Sequence, residues 1–191
     1  MKKYLFFIII AVSMIVQSCN YNSLVNKQEM VDAKWSEVEN QYQRRADLIP
    51  NLVSTVKGYT KHEETTLTAV IEARSKATSI TIDPTNMSEA DLQKFQNAQT
   101  ELGQSLGRLM AVAESYPNLK ANEQFLELQA QIEGTENRIT VARKNFNDAA
   151  RSYNVSIKSF PTLIYAGWFG FTPKPYFTAE PGSEKAPKVE F

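Results

Sequence analysis

The sequence contains very few of the residues on which covalent or metal chemistry depends. Cys19 is its one cysteine, His62 is its one histidine, and only seven glycines occur. A single thiol cannot form a disulfide within the chain, so packing must stabilise the fold. The string HEETT that begins at His62 lacks the second histidine of a zinc-protease helix. We expect this histidine on a solvated helix face.

An excess of charge of either sign is also missing. The chain carries 21 basic and 21 acidic side chains, interspersed, for a formal net charge of zero. Because no basic stripe is offered to phosphates, nucleic acid is not a predicted partner. No glycine-rich phosphate loop is predicted, and no Gly-x-Ser-x-Gly turn. We therefore expect no enzyme, no cofactor and no metal site.

One apolar run stands at the N-terminus. It extends from Tyr4 to Val16, after two lysines, and is shorter than the roughly 20 residues that a membrane-spanning helix needs. The layout is typical of a signal peptide. It predicts a lipoprotein signal over 1–18, cleavage before Cys19, and an acyl chain such as palmitate on the mature N-terminus there. The alternative is an uncleaved signal anchor that ends near Cys19.

Both alternatives place the rest of the chain on a bacterial membrane, outside the cytoplasm. We expect the periplasmic side, with the outer membrane as the working assignment. The helical domain is predicted over 19–161, an aromatic C-terminal segment over 162–177, and a disordered tail over 178–191, which is polar and contains prolines.

Apolar residues recur at steps of three and four, and this pattern predicts long amphipathic helices rather than strands. The clearest stripe predicts a helix from about 120 to 160. Another predicted helix ends at Pro117, and Ser88 with Asp91 three residues on resembles a capping box at its start. The stripes comprise Leu24, Val31, Trp35, Val38, Tyr42, Ile49, Leu52, Val56, Leu92, Phe95, Leu102, Leu106, Leu109, Ala113, Tyr116, Phe125, Leu128, Ile132, Thr135, Ile139, Ala142, Phe146, Ala149, Tyr153, Ile157 and Phe160.

The region around Pro50 allows two arrangements. A tight reversal near Arg44–Asp47 would start a second helix, with Asp47 as its N-cap and Pro50 in its first turn. Alternatively, one long helix kinks at Pro50. Because matching lengths favour four helices over three, we predict an all-α, antiparallel, up-and-down four-helix bundle, with three long helices as the alternative.

Three local features are candidates for binding. Arg44, Arg45 and Asp47 form either a binding corner or a helix cap with its arginine partner. Gly103 and Gly107 favour close helix packing inside the bundle over docking of a partner helix. The segment after Pro161 carries the candidate contact residues Trp168, Phe169, Phe171, Tyr176 and Phe177. This segment packs on the bundle, enters the membrane interface or meets a partner.

Several long strings resemble the LemA family. They are YNSLV at 21–25, Trp35, QRRADLIPNLVSTVKGYTKHE at 43–63, ARKNFNDAARSYNVSIKSFP at 142–161, and FGFTPKPYF at 169–177. The resemblance implies an all-helical up-and-down bundle behind an N-terminal membrane anchor, and it implies no particular reaction. Many members look anchored by an uncleaved helix, from which Cys19 departs. Relatives are linked with envelope membrane proteins such as TPM-domain proteins and membrane metallopeptidases.

These observations together favour a non-catalytic envelope lipoprotein that acts as an interaction or scaffold module. Its partner would be an envelope membrane protein, or another copy of itself, since heptad-like stripes also suit self-association in a coiled coil. The alternative is a module that binds or remodels a membrane surface through its aromatic segment. An enzyme with an unrecognised site is the third hypothesis.

Overall fold

The computed structural model describes the backbone of residues 2–60 and 63–179, and the side chains of 21–60 and 63–179. The predictions for the Cys19 side chain, for His62 and for 180–191 lie outside this part, as do those that depend on the side chains of 1–18. The described part is all-helical and contains no strand. Its helices are α1 (Lys2–Tyr59), α2 (Glu64–Thr78), α3 (Glu89–Ala113), α4 (Pro117–Lys120), α5 (Glu123–Lys158) and α6 (Thr162–Tyr165). Short 3₁₀ turns lie at Pro84–Asn86 and Ala166–Phe169.

The predicted reversal near Arg44–Asp47 is wrong, because α1 continues unbroken through Pro50 to Tyr59. Ile49, Leu52 and Val56 therefore extend the same buried stripe as Trp35. Asp47 caps nothing; it accepts a hydrogen bond from the Gln43 side chain one turn earlier, at 2.7 Å. The chain reverses only after Tyr59, so α2 has 15 residues.

The two longest helices, α1 and α5, run antiparallel. Later residues of α1 contact earlier residues of α5. The rings of Trp35 and Phe146 lie 5.6 Å apart, and Arg45 Nη1 lies 2.5 Å from a Glu136 carboxylate oxygen. Farther along, the Asn122 amide donates to the Tyr59 hydroxyl at 2.9 Å. The start of α1 and the end of α5 therefore lie at one end of the molecule.

The N-terminus of α3 has the predicted capping box. Ser88 Oγ accepts from the Asp91 backbone N–H at 3.1 Å, and the Asp91 carboxylate accepts from the Ser88 backbone N–H at 3.3 Å. The α5 helix ends at Lys158, close to the predicted end. The prediction that Phe160 belongs to the core is wrong, because its side chain lies beyond that end and is 81% exposed.

The buried side chains form two clusters along the molecule. One is built from α1 beyond Ile49, α2, α3 and the first half of α5. The other cluster, around Trp35, is built from α1, the second half of α5 and the first turns of α3, whose Phe95 ring lies 5.3 Å from that of Trp35. The segments 80–87 and 165–177 also contribute to it, whereas α2 does not. The aromatic C-terminal segment thus helps to complete the core beyond the end of α2.

Candidate functional site

Residues 171–178, called the strap below, lie along α5 in the opposite direction to it. The Asn154 side chain donates to the Lys174 carbonyl and accepts from the Lys174 N–H, both at 2.8 Å. Asn147 does the same for Phe177, at 3.0 and 2.9 Å. Seven residues of helix rise about 10.5 Å, and three residues of extended chain rise about 10 Å. The distance between the two asparagines along α5 therefore nearly equals the distance between Lys174 and Phe177 along the strap.

Phe177 anchors the strap in an aromatic pocket. Its ring stacks on Trp35 with 6.1 Å between ring centroids, and meets Phe146 edge-on at 5.6 Å. The Arg143 guanidinium lies 4.8 Å above the same ring, within cation–π range. Phe171 is also buried, so these two of the five candidate aromatics pack on the bundle. Tyr176 is partly exposed, and its hydroxyl accepts from the Asn154 amide at 2.9 Å.

Lys174 is a second anchor of the strap. Its side chain is buried, and its ammonium group donates to the carbonyl of Pro84 and, at 2.9 Å, to that of Thr85. The Asp32 carboxylate lies 3.9 Å away. Burial lowers the pKa of Lys174, and the carboxylates of Asp32 and Asp83 oppose that shift. Burial likewise raises the pKa of Asp32, and the charge of Lys174 opposes it.

Several large apolar side chains between Phe160 and Phe169 are exposed, although Tyr165 among them is buried. We call the side chains of Phe160, Leu163, Ile164, Trp168 and Phe169 the end patch; each is more than half exposed. Gly170 separates this patch from the strap with a φ of 78°, a left-handed conformation that glycine adopts without strain. Different alternatives therefore apply to different parts of this region. The strap packs on the bundle, whereas the end patch faces outward.

The end patch lies beside the start of the described side chains. The ring of Tyr21 lies 5.3 Å from that of Phe169 and 5.6 Å from that of Phe171. Cys19, whose backbone belongs to the same helix, precedes Tyr21 by two residues. The predicted lipid attachment and the exposed aromatic residues therefore belong to one end of the molecule.

The three candidates near residue 45 do not form a corner. Arg44 and Asp47 are exposed on α1, whereas Arg45 is buried. The Arg45 guanidinium donates to Glu136 on α5 and to the carbonyl and side-chain oxygens of Gln99 on α3, at 3.1 and 2.7 Å. It also lies 5.1 Å from the ring centre of Tyr42. Arg45 thus ties three helices together.

A groove of about 520 Å³ opens above Arg45, between α3 and α5. The predicted close packing at Gly103 and Gly107 is wrong, because these glycines line the groove. A Cβ at Gly107 would meet nothing within 4 Å, and one at Gly103 would meet only the Arg45 guanidinium, at 3.9 Å. The strap reaches the same groove, since two lining residues, Gln96 and Arg143, donate to the Thr178 carbonyl.

The letters Gly103-Gln104-Ser105-Leu106-Gly107 spell the hydrolase motif Gly-x-Ser-x-Gly, which the sequence reasoning overlooked as a string. They lie in the middle of α3 rather than at a strand-to-helix turn. Ser105 is buried, and its hydroxyl accepts from Arg108 at 2.9 Å. The string therefore does not form a nucleophile elbow. Among the described residues, no group of three or more histidine, cysteine or carboxylate side chains is arranged to hold a metal ion.

Comparison with known proteins identifies the family. The sequence model of the LemA family matches residues 34–191. The chain belongs to the LemA family. It is 28% identical to Protein LemA of Metamycoplasma hominis over 163 residues, covering 85% of this chain and 71% of that protein.

Two further relatives are named for the magnetosome. The chain is 27% identical over 181 residues to Magnetosome protein MamQ 1 of Paramagnetospirillum magneticum, and equally to Magnetosome protein MamQ of Magnetospirillum gryphiswaldense. In each case 86% of this chain is covered, and it spans 66% of the relative's length.

The LemA-type strings of the sequence coincide with these structural features. The run at 43–63 contains Arg45, the run at 142–161 contains both asparagines that hold the strap, and the run at 169–177 contains most of the strap itself. In the described part of this LemA-family chain, no helix combines the length and hydropathy needed to cross a bilayer.

Proposed function

We propose that this LemA-family protein is a non-catalytic, membrane-tethered interaction module of the bacterial cell envelope. Its helices form an up-and-down four-helix bundle on the periplasmic side, on the outer membrane as the working assignment. The tether is a lipid at Cys19, with an uncleaved N-terminal anchor as the alternative. The bundle presents its surface to an envelope membrane protein or to a second copy of the chain.

The continuity of α1 is the observation that carries this proposal. The helix has no break between Lys2 and Tyr59, so the residue that would carry the lipid and the residues of the core belong to one element. A tether at Cys19 would fix the direction of the bundle as well as its position. A flexible linker, by contrast, would leave the bundle free to rotate.

The proposal that the protein is non-catalytic is supported by the hydrogen bonds of its buried polar side chains. Arg45 joins three helices, Asn154 holds the strap, and Lys174 fixes the turn at Pro84–Asn86. Each is engaged in holding the fold. The α3–α5 groove, with exposed Gln104 and Gly107 at its rim, is the surface we assign to the partner.

Intact mass tests the tether. The protein is isolated from its native membrane, beside a Cys19→Ala variant. We expect a mature N-terminus at Cys19 with acyl mass in the wild type, and an unprocessed or unacylated chain in the variant. A wild-type chain that begins at Met1 would replace the lipid with the anchor. A chain that is found only in the soluble fraction would overturn the tether altogether.

Photocrosslinking in cells tests the partner surface. A photoreactive amino acid is placed at Gly107, where an added Cβ has room, and at Ser54, an exposed control position on α1. We expect crosslinks to a second protein, or to another copy, from Gly107 only. Equal crosslinking from both positions would overturn the assignment of the groove.

A further inference from the structure

The end patch combines large exposed apolar side chains with a fixed backbone. Trp168 is 83% exposed and Phe160 81%. Between them, Tyr165 and Ala166 are buried in the core around Trp35. A group of large exposed apolar side chains marks a contact site. Because α6 and the following turn are held in the core, these side chains project from a rigid support.

The stretches of chain that form and adjoin the end patch carry no acidic side chain. Neither 17–28 nor 149–179 contains an aspartate or glutamate, although the chain has 21 of them. The same stretches contain Lys27, Arg151, Lys158 and the buried Lys174. Arg151 and Lys158 are exposed. Lys174 is buried beside Asp32, so it is Lys27, Arg151 and Lys158 that give these stretches a positive charge. That charge, in a chain that is neutral as a whole, complements an anionic surface.

We propose that the end patch is seated in the interfacial layer of an anionic lipid bilayer. Tryptophan and phenylalanine favour the boundary between headgroups and acyl chains, and flanking basic residues add attraction to anionic lipids. The position next to Cys19 favours lipid over a partner protein as the occupant. This inference rests on the proposed tether, because a bilayer attached near Tyr21 lies directly against Phe169.

The chain's two tryptophans provide the test, since Trp35 is fully buried and Trp168 is exposed. The full chain with its native N-terminus is incorporated into phosphatidylglycerol-containing vesicles whose acyl chains are brominated near the headgroup. Bromine quenches tryptophan only on close approach. We expect wild-type emission to lose the Trp168 contribution, and emission of Trp168→Phe, which reports Trp35, to remain unquenched.

Matched variants locate the contact. Leu163→Ser lies in the end patch, and Val141→Ser removes a similarly exposed apolar side chain from α5. We expect Leu163→Ser to reduce the quenching of Trp168 and Val141→Ser to leave it unchanged. Lys158→Glu should also reduce the quenching of Trp168. Quenching of the wild type should likewise be weaker in vesicles that contain only phosphatidylcholine. Equal quenching in anionic and zwitterionic vesicles would overturn the anionic preference.

Flotation of the same vesicles separates this inference from the tether. Protein that floats with the vesicles while Trp168 stays unquenched and open to aqueous iodide would overturn the seated end patch and leave the tether intact. That result would assign the patch to a partner protein. Protein that does not float at all would overturn both.

Discussion

The side chain of Arg74 donates from Nε to the carbonyl oxygen of Ala46 at 2.7 Å. Ala46 lies four residues before Pro50, and a proline in a helix leaves the carbonyl at that position without its usual N–H partner. An arginine from α2 thus supplies the hydrogen bond that proline removes from α1. This is a physical reason why α1 continues where the sequence predicts a reversal.

Replacing Arg74 with methionine should lower the free energy of unfolding by about 1–2 kcal/mol, because the Ala46 carbonyl then has no donor. In a Pro50→Ala background the helix itself can supply the N–H, so the same replacement should cost much less. Urea unfolding of the four proteins in this double-mutant cycle measures the coupling. Equal effects of Arg74→Met in both backgrounds would contradict the assigned role.

The aromatic pocket of the strap makes Phe177→Ala strongly destabilising. Removing a buried phenylalanine costs about 3–5 kcal/mol, and here it uncovers Trp35. In a Trp168→Phe background, Trp35 emission should shift to the red and the urea midpoint should fall. Thr172→Ala, at an exposed strap position, is the control and should change neither.

The two positions that hold the strap, Asn147 and Asn154, should require an amide side chain, because each one both donates and accepts a hydrogen bond. Asn147→Asp keeps the acceptor for the Phe177 N–H and loses the donor to its carbonyl. We expect faster hydrogen exchange across 174–178 in Asn147→Asp and in Asn154→Asp, with exchange in α2 unchanged. Exchange that rises equally in all helices would indicate global destabilisation instead.

The contribution of Arg45 to stability should depend on the shape of its guanidinium group as well as on its charge. Arg45→Met removes the donor to the Gln99 side-chain oxygen and leaves Glu136 without its partner. We expect a loss of about 1–3 kcal/mol, discounted because the Glu136 side chain is half exposed. Arg45→Lys should recover only part, since a lysine cannot reproduce the fork. Arg44→Met, its exposed neighbour, is the control in urea unfolding.

The ionisation of Asp32 should make the free energy of unfolding depend on pH in the acidic range. Its folded-state pKa is raised above the ordinary value of 3.8, chiefly by burial, with Glu29 and Asp83 adding to the shift and Lys174 opposing it. The folded state therefore holds more protons than the unfolded state above that value. The contribution of Asp32 to stability should therefore fall as pH rises through the window between its unfolded-state and folded-state pKa values.

The isosteric variant Asp32→Asn lacks this titration. Its stability relative to the wild type should increase as pH rises from about 3.8 and then become constant. Urea unfolding at a series of acidic pH values measures the difference. A relative stability that decreases with rising pH would show that the carboxylate is stabilised rather than penalised by its surroundings.

Hydrophobic periodicity predicted the helical class and most of the core. The stripes from Leu24 to Val56 and from Phe125 to Ile157 are buried almost as predicted, because burial of an amphipathic face follows directly from spacing. Local signals also succeeded at Ser88, where the cap depends on residues only three positions apart.

The failures depend on residues distant in sequence. The helix through Pro50 depends on Arg74, and the division of the aromatic segment depends on Asn147 and Asn154. At Phe160 the stripe continued by spacing after the helix had ended. No local pattern in the sequence reports which distant donor meets a carbonyl, or that the C-terminal segment covers the α1–α5 pair beyond the end of α2.

The strap also imposes an order on folding. Phe177 closes the pocket of Trp35, yet it follows all four long helices in the chain. During synthesis, the core around Trp35 therefore lacks one of its walls until the strap has emerged, whatever helices have already formed. Docking of the strap on α5 is then the last step in completing this part of the core.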